Sequence, residues 1–446
     1  MSETQVVNRA RPWWRTLSIV LGIVLGLLVL VLEIGSRVCD GIIESRKQDK
    51  EQREEMMKRL HEPDLIEKLS YGVLEYGTML RADQLKKART EPHPYLGYVL
   101  SPNFSTPEGA DQQARHNSMG FRGKETTWEK PPGVFRIVTT GGSSVYGQSE
   151  SCDAAVWSQK LEDYLNAGGG GRKFEVVNVG VPGWSSFEML INLELRALDL
   201  QPDLVIVYEA INDMRCALYT PGGEPQRDNT HWRATWFTDR PSRIDELLAH
   251  SRTYLIWRRY MTDYVQARSD LFFFGVKNFA NNNDDAYVHT AAGKPLPEMG
   301  FTTYRRNLNN IISLVKQSGA QVLIVTQAFP RWHLNDAKNS IPDQLTAFGR
   351  IQNIQRELAN ERGIPLFECA EIVEKAIENE LYAERDRQKA SKPELDDAAA
   401  EAEARKIVGK GRRAGLFFSE VHPNDSGSNL IGKLVSEYLL GTLLAK

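Results

Sequence analysis

Cysteine is scarce in this 446-residue chain, with four residues: Cys39, Cys152, Cys216 and Cys369. That is too few for a disulfide framework. The eight histidines are scattered. Without an H-x-x-x-H spacing or a Cys/His cluster, the sequence implies no metal and no other cofactor. A basic excess is also lacking: 55 Lys and Arg face 58 Asp and Glu, for a net charge of −3 and a pI near 6.3. A surface built to neutralise phosphates would look different, so nucleic acid is excluded as the main partner. Neither G-x-G-x-x-G nor a G-K-[ST] ending occurs among the glycine-rich turns. No internal repeat and no low-complexity tract appears beyond the glycines at 168–171. A mean hydropathy of −0.41 excludes a polytopic membrane protein.

One long hydrophobic run is present. Leu17 to Leu32 carries no charge, and with its flanks it is long enough to span a bilayer once. Trp13 and Trp14 suit the membrane interface, and Arg9, Arg11 and Arg15 precede the run. Cationic flanks favour the cytoplasmic side. The expectation is a single-pass anchor in the inner membrane, with the N-terminus cytoplasmic and the remainder periplasmic. A cleaved signal peptide is the rival, but no clean A-x-A site follows. Lipidation of Cys39 is a weaker rival, because Arg37 and Val38 are not the small residues expected before it.

The chain then divides by composition. Residues 1–35 form the cytoplasmic tip and anchor. Residues 36–130 form a helical stalk and an N-terminal extension. In the extension, His93-Pro94-Tyr95-Leu96-Gly97-Tyr98 and His116-Asn117-Ser118-Met119-Gly120-Phe121-Arg122-Gly123 read as extended segments ending in glycine turns. From 131 onward strand and helix patterns alternate. Apolar runs near 135–140, 174–179, 203–208, 321–327 and 365–369 predict strands. Helical spacing at 153–166, 186–198, 304–318 and 343–361 lies between them. Such alternation predicts a mostly parallel five-stranded sheet covered on both faces. Two insertions interrupt it. Residues 214–303 are aromatic-rich, with Trp232, Trp236, Trp257 and Phe272 to Phe274. Residues 371–413 are charged and read as a helical hairpin.

In an open parallel sheet, ligands bind beyond the carboxyl ends of the strands. The turns there carry Gly141-Gly142-Ser143-Ser144, then Asn178 to Gly183, then Glu209-Ala210-Ile211-Asn212-Asp213. A late loop carries Ser419-Glu420-Val421-His422. Together they make a nucleophile site: an exposed serine, donors for an oxyanion and a histidine base.

These four segments, in this order, resemble the SGNH (GDSL-type) hydrolases, and the segments before 130 resemble those of membrane-anchored bacterial relatives. The G-D-S block appears as Gly141-Gly142-Ser143, the G-x-N-D block as Ala210-Ile211-Asn212-Asp213, and the D-x-x-H block as Ser419-Glu420-Val421-His422. The resemblance implies a flavodoxin-like three-layer α/β sandwich. It makes Ser143 the nucleophile and His422 the base. The N–H groups of Ser143 and Gly183 and the Asn212 side chain form the oxyanion hole. Ser144 is the rival nucleophile, with helix capping as its other role. The acid expected three residues before His422 is absent. A Ser–His dyad oriented by a hydroxyl or carbonyl, an inward Glu420, or an inactive protein remain open. The fold also brings Cys152 and Cys216 to one rim, where either a bridge or two thiols would fit. Trp184, Tyr146 and Arg215 would line a sugar or acyl pocket or simply pack.

The expected function is a membrane-anchored, periplasm-facing serine esterase or O-acyltransferase. Its substrate would be an ester, first an O-acetyl group on a cell-envelope or exported glycan, and next a lipid ester. The other class left open is an inactive relative that binds polysaccharide or an envelope protein partner.

Overall fold

The computed structural model describes residues 13–47, 89–106, 112–218, 227–229, 251, 253–254, 296–329, 344–408, 415–419 and 421–444. Most of the first insertion, including Trp232, Trp236, Trp257 and Phe272 to Phe274, lies outside the described residues. So do residues 48–60 of the expected stalk and Glu420.

Helix α1 covers Trp13–Lys47. Its segment Val20–Val38 has a mean hydropathy of 2.1 and is not buried against the protein, so it is long and apolar enough to cross a membrane. At the end of that segment Glu33 pairs with Arg37 and accepts hydrogen bonds from Ser251 Oγ (2.6 Å) and Thr253 N (3.1 Å). The first insertion therefore touches α1.

The extension opens with a small antiparallel hairpin, β1 (Thr90–His93) and β2 (Gly97–Leu100). The main sheet follows. Its strands are β3 (Val134–Gly141), β4 (Lys173–Asn178), β5 (Leu204–Tyr208), β6 (Gln321–Val325) and β7 (Leu366–Phe367). All pair in parallel, in the order β4-β3-β5-β6-β7. The order reverses at β3, so the crevice between the ends of β3 and β5 is where a ligand would sit.

Helices cover both faces. After β3 come α2 (Ser143–Tyr146) and α3 (Trp157–Gly168); after β4 comes α4 (Ser186–Asn192). After β5 comes α5 (Ile211–Leu218), and α6 (Glu298–Gln317) leads into β6. Then follow α7 (Gln344–Arg362), α8 (Cys369–Ser391), α9 (Asp397–Val408) and α10 (Asp425–Tyr438). One core layer joins the sheet to α4, α5, α6 and α7 through Val138, Val205, Val207, Ile311 and Ile351. The opposite layer joins it to α3, α8 and α10 through Ile137, Ile206, Leu161, Val373 and Ile431. Alternate residues along β3 and β5 thus face opposite layers, as a pleated strand requires. Each such side chain contributes roughly 1.5–3 kcal/mol on burial.

Two expected boundaries shift. The helix expected at 304–318 begins at Glu298, because Phe301 and Tyr304 already pack in the core. The helix expected at 186–198 is α-helical only to Asn192 and then widens through Leu193–Ala197 and tightens at Leu198–Leu200. The expected hairpin at 371–413 is present as α8 and α9, held by Leu381, Ala404 and Val408.

The described part of the extension packs on the α/β domain. Leu96, Tyr98, Val99 and Leu100 bury against Tyr146, Val181, Trp184 and Cys216, which lie beyond the carboxyl ends of β3, β4 and β5. Tyr98 donates its hydroxyl to Pro182 O at 2.5 Å. Asn117 Oδ1 accepts from Met119 N and Phe121 N, turning the chain so that Arg122 points inward. At Gly120, with φ +76, an added Cβ would lie 2.5 Å from Leu100 O, which explains the glycine.

Candidate active site

Helix α2 is a single turn at the carboxyl end of β3, and Ser143 is its first residue. On this turn Ser143 points back toward the late loop. That loop is folded on itself: Phe418 N donates to His422 O at 2.8 Å, and Asn424 N to Leu416 O at 3.0 Å. Asn424 then caps α10 by accepting from Ser426 N and Gly427 N. The result is a line of three side chains. Ser143 Oγ lies 2.7 Å from His422 Nε2, and His422 Nδ1 lies 2.7 Å from Ser419 Oγ. Ser419 Oγ also accepts from His422 N at 3.3 Å. Ser143, His422 and Ser419 are 4, 8 and 7% exposed, so the relay is shielded from bulk water.

The three groups expected from the sequence as oxyanion donors lie on turns beyond the ends of β3, β4 and β5. Gly183 adopts φ +81, a conformation favouring glycine, in the turn before α4. Asn212 sits in the first turn of α5 and spends one Nδ2 hydrogen on Trp184 O at 2.9 Å, which leaves the second. Among the described residues, the N–H groups of Ser143 and Gly183 have no acceptor. Buried N–H groups are normally paired, so these donors are available to an incoming oxygen.

A polar network braces the turns. Gln327, just after β6, accepts from Ala210 N and Ile211 N through Oε1 and donates from Nε2 to Ser144 Oγ at 2.8 Å. Ser144 Oγ donates to Val421 O at 2.8 Å. The capping role weighed for Ser144 is therefore replaced by a bridge between the serine turn and the histidine loop; no side chain caps α2. Glu209 accepts from Gly142 N at 2.7 Å and Asn212 N at 2.8 Å. Asp213 accepts from Ser186 N and Ser186 Oγ. Glu150 accepts from Ser428 Oγ and Ser149 N, tying the serine segment to α10. Burial raises all three carboxyls: Glu209 to about 8, Asp213 and Glu150 to about 7. For Glu209 the Asp213 charge adds to burial, while the two N–H bonds oppose both.

Tyr146 and Trp184 do not line a pocket. They are about 1% exposed and belong to the core beneath the extension. Tyr146 carries the Arg122 guanidinium 4.6 Å above its ring and bonds His116 Nε2 at 3.0 Å. Arg122 also donates to Tyr146 O and Gly147 O. Burial drives His116 down to about 3, so it is neutral and structural. Cys152 and Cys216 are not bridged. Cys216 is buried in the core beside the extension, while Cys152 pairs with Gln113 at the edge. Glu420 falls outside the described residues. No group of three or more His, Cys, Asp or Glu side chains among the described residues could hold a metal.

Glu209, Gln327 and Arg122 escaped the sequence reading. Glu209 stood directly before a recognised motif, and that was its only signal. Gln327 and Arg122 become relevant through contacts more than 100 and more than 20 residues away.

Residues 139–430 match the model of the GDSL-like lipase/acylhydrolase family. No curated protein matches the sequence. Among solved structures, the acetyl xylan esterase AlAXEase is 12% identical with a TM-score of 0.36, covering 67% of this chain and 97% of that one. The lipase/acylhydrolase from Enterococcus faecalis is 13% identical with a TM-score of 0.35, over 69% and 95% of the two chains. A catalytic mutant of Axe2, an acetylxylan esterase from Geobacillus stearothermophilus, is 11% identical with a TM-score of 0.35, over 67% and 91%. The family match spans more than half of the sequence, from β3 into α10, and includes all four site segments: the chain belongs to the GDSL-like lipase/acylhydrolase family.

Proposed function

We propose that the protein is a membrane-anchored serine esterase whose acyl transfer runs on Ser143, His422 and Ser419. The observation that carries this is the unbroken Ser143–His422–Ser419 hydrogen-bond line.

In the reaction, His422 Nε2 takes the Ser143 proton as Oγ attacks the ester carbonyl. The carbonyl oxygen becomes an oxyanion and is met by Ser143 N–H, Gly183 N–H and Asn212 Nδ2–H. One such donor is worth about 10²–10³ in rate. The alcohol leaves with the proton from His422. Water then attacks the acyl-Ser143 ester and its proton passes to His422; the bond to Oγ breaks, His422 returns the proton to Ser143 Oγ, and the acid departs. A sugar hydroxyl in place of water would make the protein an acyltransferase. Ser419 does part of an orienting acid's work: it accepts the Nδ1 proton and fixes the ring. It supplies no negative charge for the imidazolium.

The substrate class we propose is an O-acetylated glycan of the cell envelope, with the domain outside the cytoplasm. The cationic N-terminal flank supports that orientation. The contact between Glu33 and residues 251–253 supports a domain held close to the bilayer. Treatment of the full chain in detergent with an alkyl fluorophosphonate tests the chemistry. Peptide mapping should find the adduct on Ser143 in wild type and none in His422→Ala. Labelling elsewhere, or none in wild type, contradicts it.

A further inference from the structure

The recognised motifs leave one carboxylate unexplained. Glu209 is fully enclosed, and among the described residues it forms no ion pair. A buried, unpaired carboxyl is costly to keep. Both of its oxygens are nevertheless occupied. Oε2 accepts the N–H of Gly142, the residue before the nucleophile, and Oε1 accepts the N–H of Asn212, the oxyanion residue. One side chain thus ties together two turns that leave different strands, β3 and β5.

Gly142 shows how tightly the three groups share space. A Cβ there would lie 2.6 Å from Glu209 Oε2 and would collide with Asn212 Nδ2. In the motif that this segment resembles, position 142 is an aspartate. Here that carboxylate is missing and another arrives from the β5 turn, with its oxygen next to where the missing side chain would begin.

We propose that Glu209 is a positioning residue for acyl transfer: its carboxyl sets the spacing between Ser143 and Asn212, and glycine at 142 is the space it occupies. This rests on the esterase reading for its kinetic consequence, but not for its geometry.

The ionised form suits the clamp best, since each oxygen then accepts one N–H. A neutral acid would turn one oxygen into a hydroxyl without a described acceptor. The titratable groups that feel Glu209 are Asp213, Arg215 and Cys216 on α5, Tyr208 on β5 and Tyr304 on α6. Activity should therefore rise with pH through a limb near 8 that belongs to Glu209.

The test uses the full chain in detergent with p-nitrophenyl acetate. Glu209→Gln keeps the shape but can accept at only one end. It should lower kcat about 10- to 100-fold, leave KM within about twofold and abolish the limb near 8. Amide hydrogen exchange, read in the same variant, should quicken at Gly142 and Asn212 more than elsewhere in the sheet. Unchanged kcat together with unchanged exchange at both amides overturns the proposal. If wild type shows no Ser143-dependent turnover, the esterase reading fails, and the exchange measurement alone decides the clamp. Gly142→Asp alone should be nearly inactive, and Gly142→Asp with Glu209→Ala should recover at least tenfold over it. A double variant that melts cooperatively but recovers nothing overturns the shared-space part.

Discussion

The two halves of the site solve the same problem in opposite ways. On the serine side the motif's aspartate is a glycine and a carboxyl arrives from another turn: Glu209 accepts from Gly142 N and Asn212 N. On the histidine side a carboxyl is missing where the motif has one, and Ser419 holds the ring with a hydroxyl. The serine side is built on buried strands and fixed donors, so it carries strong electrostatic preorganisation. The histidine side lies on a loop between α9 and α10 and offers orientation without charge. Geometry is preserved on both sides, while charge support is uneven.

Among the changes that separate the two halves, the largest expected effect breaks the serine side. Asn212→Ala should cost about 10²–10³ in kcat for p-nitrophenyl acetate, since it removes one oxyanion donor. Steady-state kinetics in detergent check this; a loss under threefold would contradict the assignment.

Ser419 sharpens the contrast. Ser419→Asp restores a charge beside Nδ1 and should raise kcat about tenfold or more. Ser419→Ala should lower it about three- to tenfold, because only orientation is lost. An aspartate variant no faster than wild type, with the fold intact by circular dichroism, would mean the hydroxyl already does all the orienting the site can use.

A smaller effect is read in stability. Glu209, Asp213 and Glu150 have folded values of about 8, 7 and 7, above their ordinary 4.5, 3.8 and 4.5. Between those limits the folded state holds protons that the unfolded state has lost. Their contribution is complete below about pH 4 and is lost as pH rises through 7 to 8. The Tm should therefore fall from pH 5 to 8, and Glu209→Gln should flatten the upper part of that fall. Calorimetry at fixed ionic strength measures it. The smallest effect belongs to Cys152→Ser, which should move stability by less than about 0.5 kcal/mol, since no bridge is broken.

The sheet was legible because its strands are short apolar runs ending in glycine turns, and the turn motifs fall where such a sheet binds ligands. Ser143, Gly183, Asn212 and His422 were legible as types at those turns. Ser419's part was one of three readings the sequence left open, since a hydroxyl's partner depends on how the loop folds. Glu209 and Gln327 were hidden because their importance lies in backbone N–H groups they meet in space, and neither side chain advertises that in sequence. The docking of the extension was not legible because its apolar residues are sparse. Leu96, Tyr98, Val99 and Leu100 are few, but they bury together against Trp184 and Tyr146.

The most direct test of the central claim is hydrolysis of p-nitrophenyl acetate by the full chain in detergent, wild type beside Ser143→Ala and His422→Ala. The account predicts measurable wild-type turnover and a loss of about 10⁴-fold or more in each variant, because residues that act as a unit fail together. Equal rates in all three proteins would contradict an acyl-transfer site at Ser143.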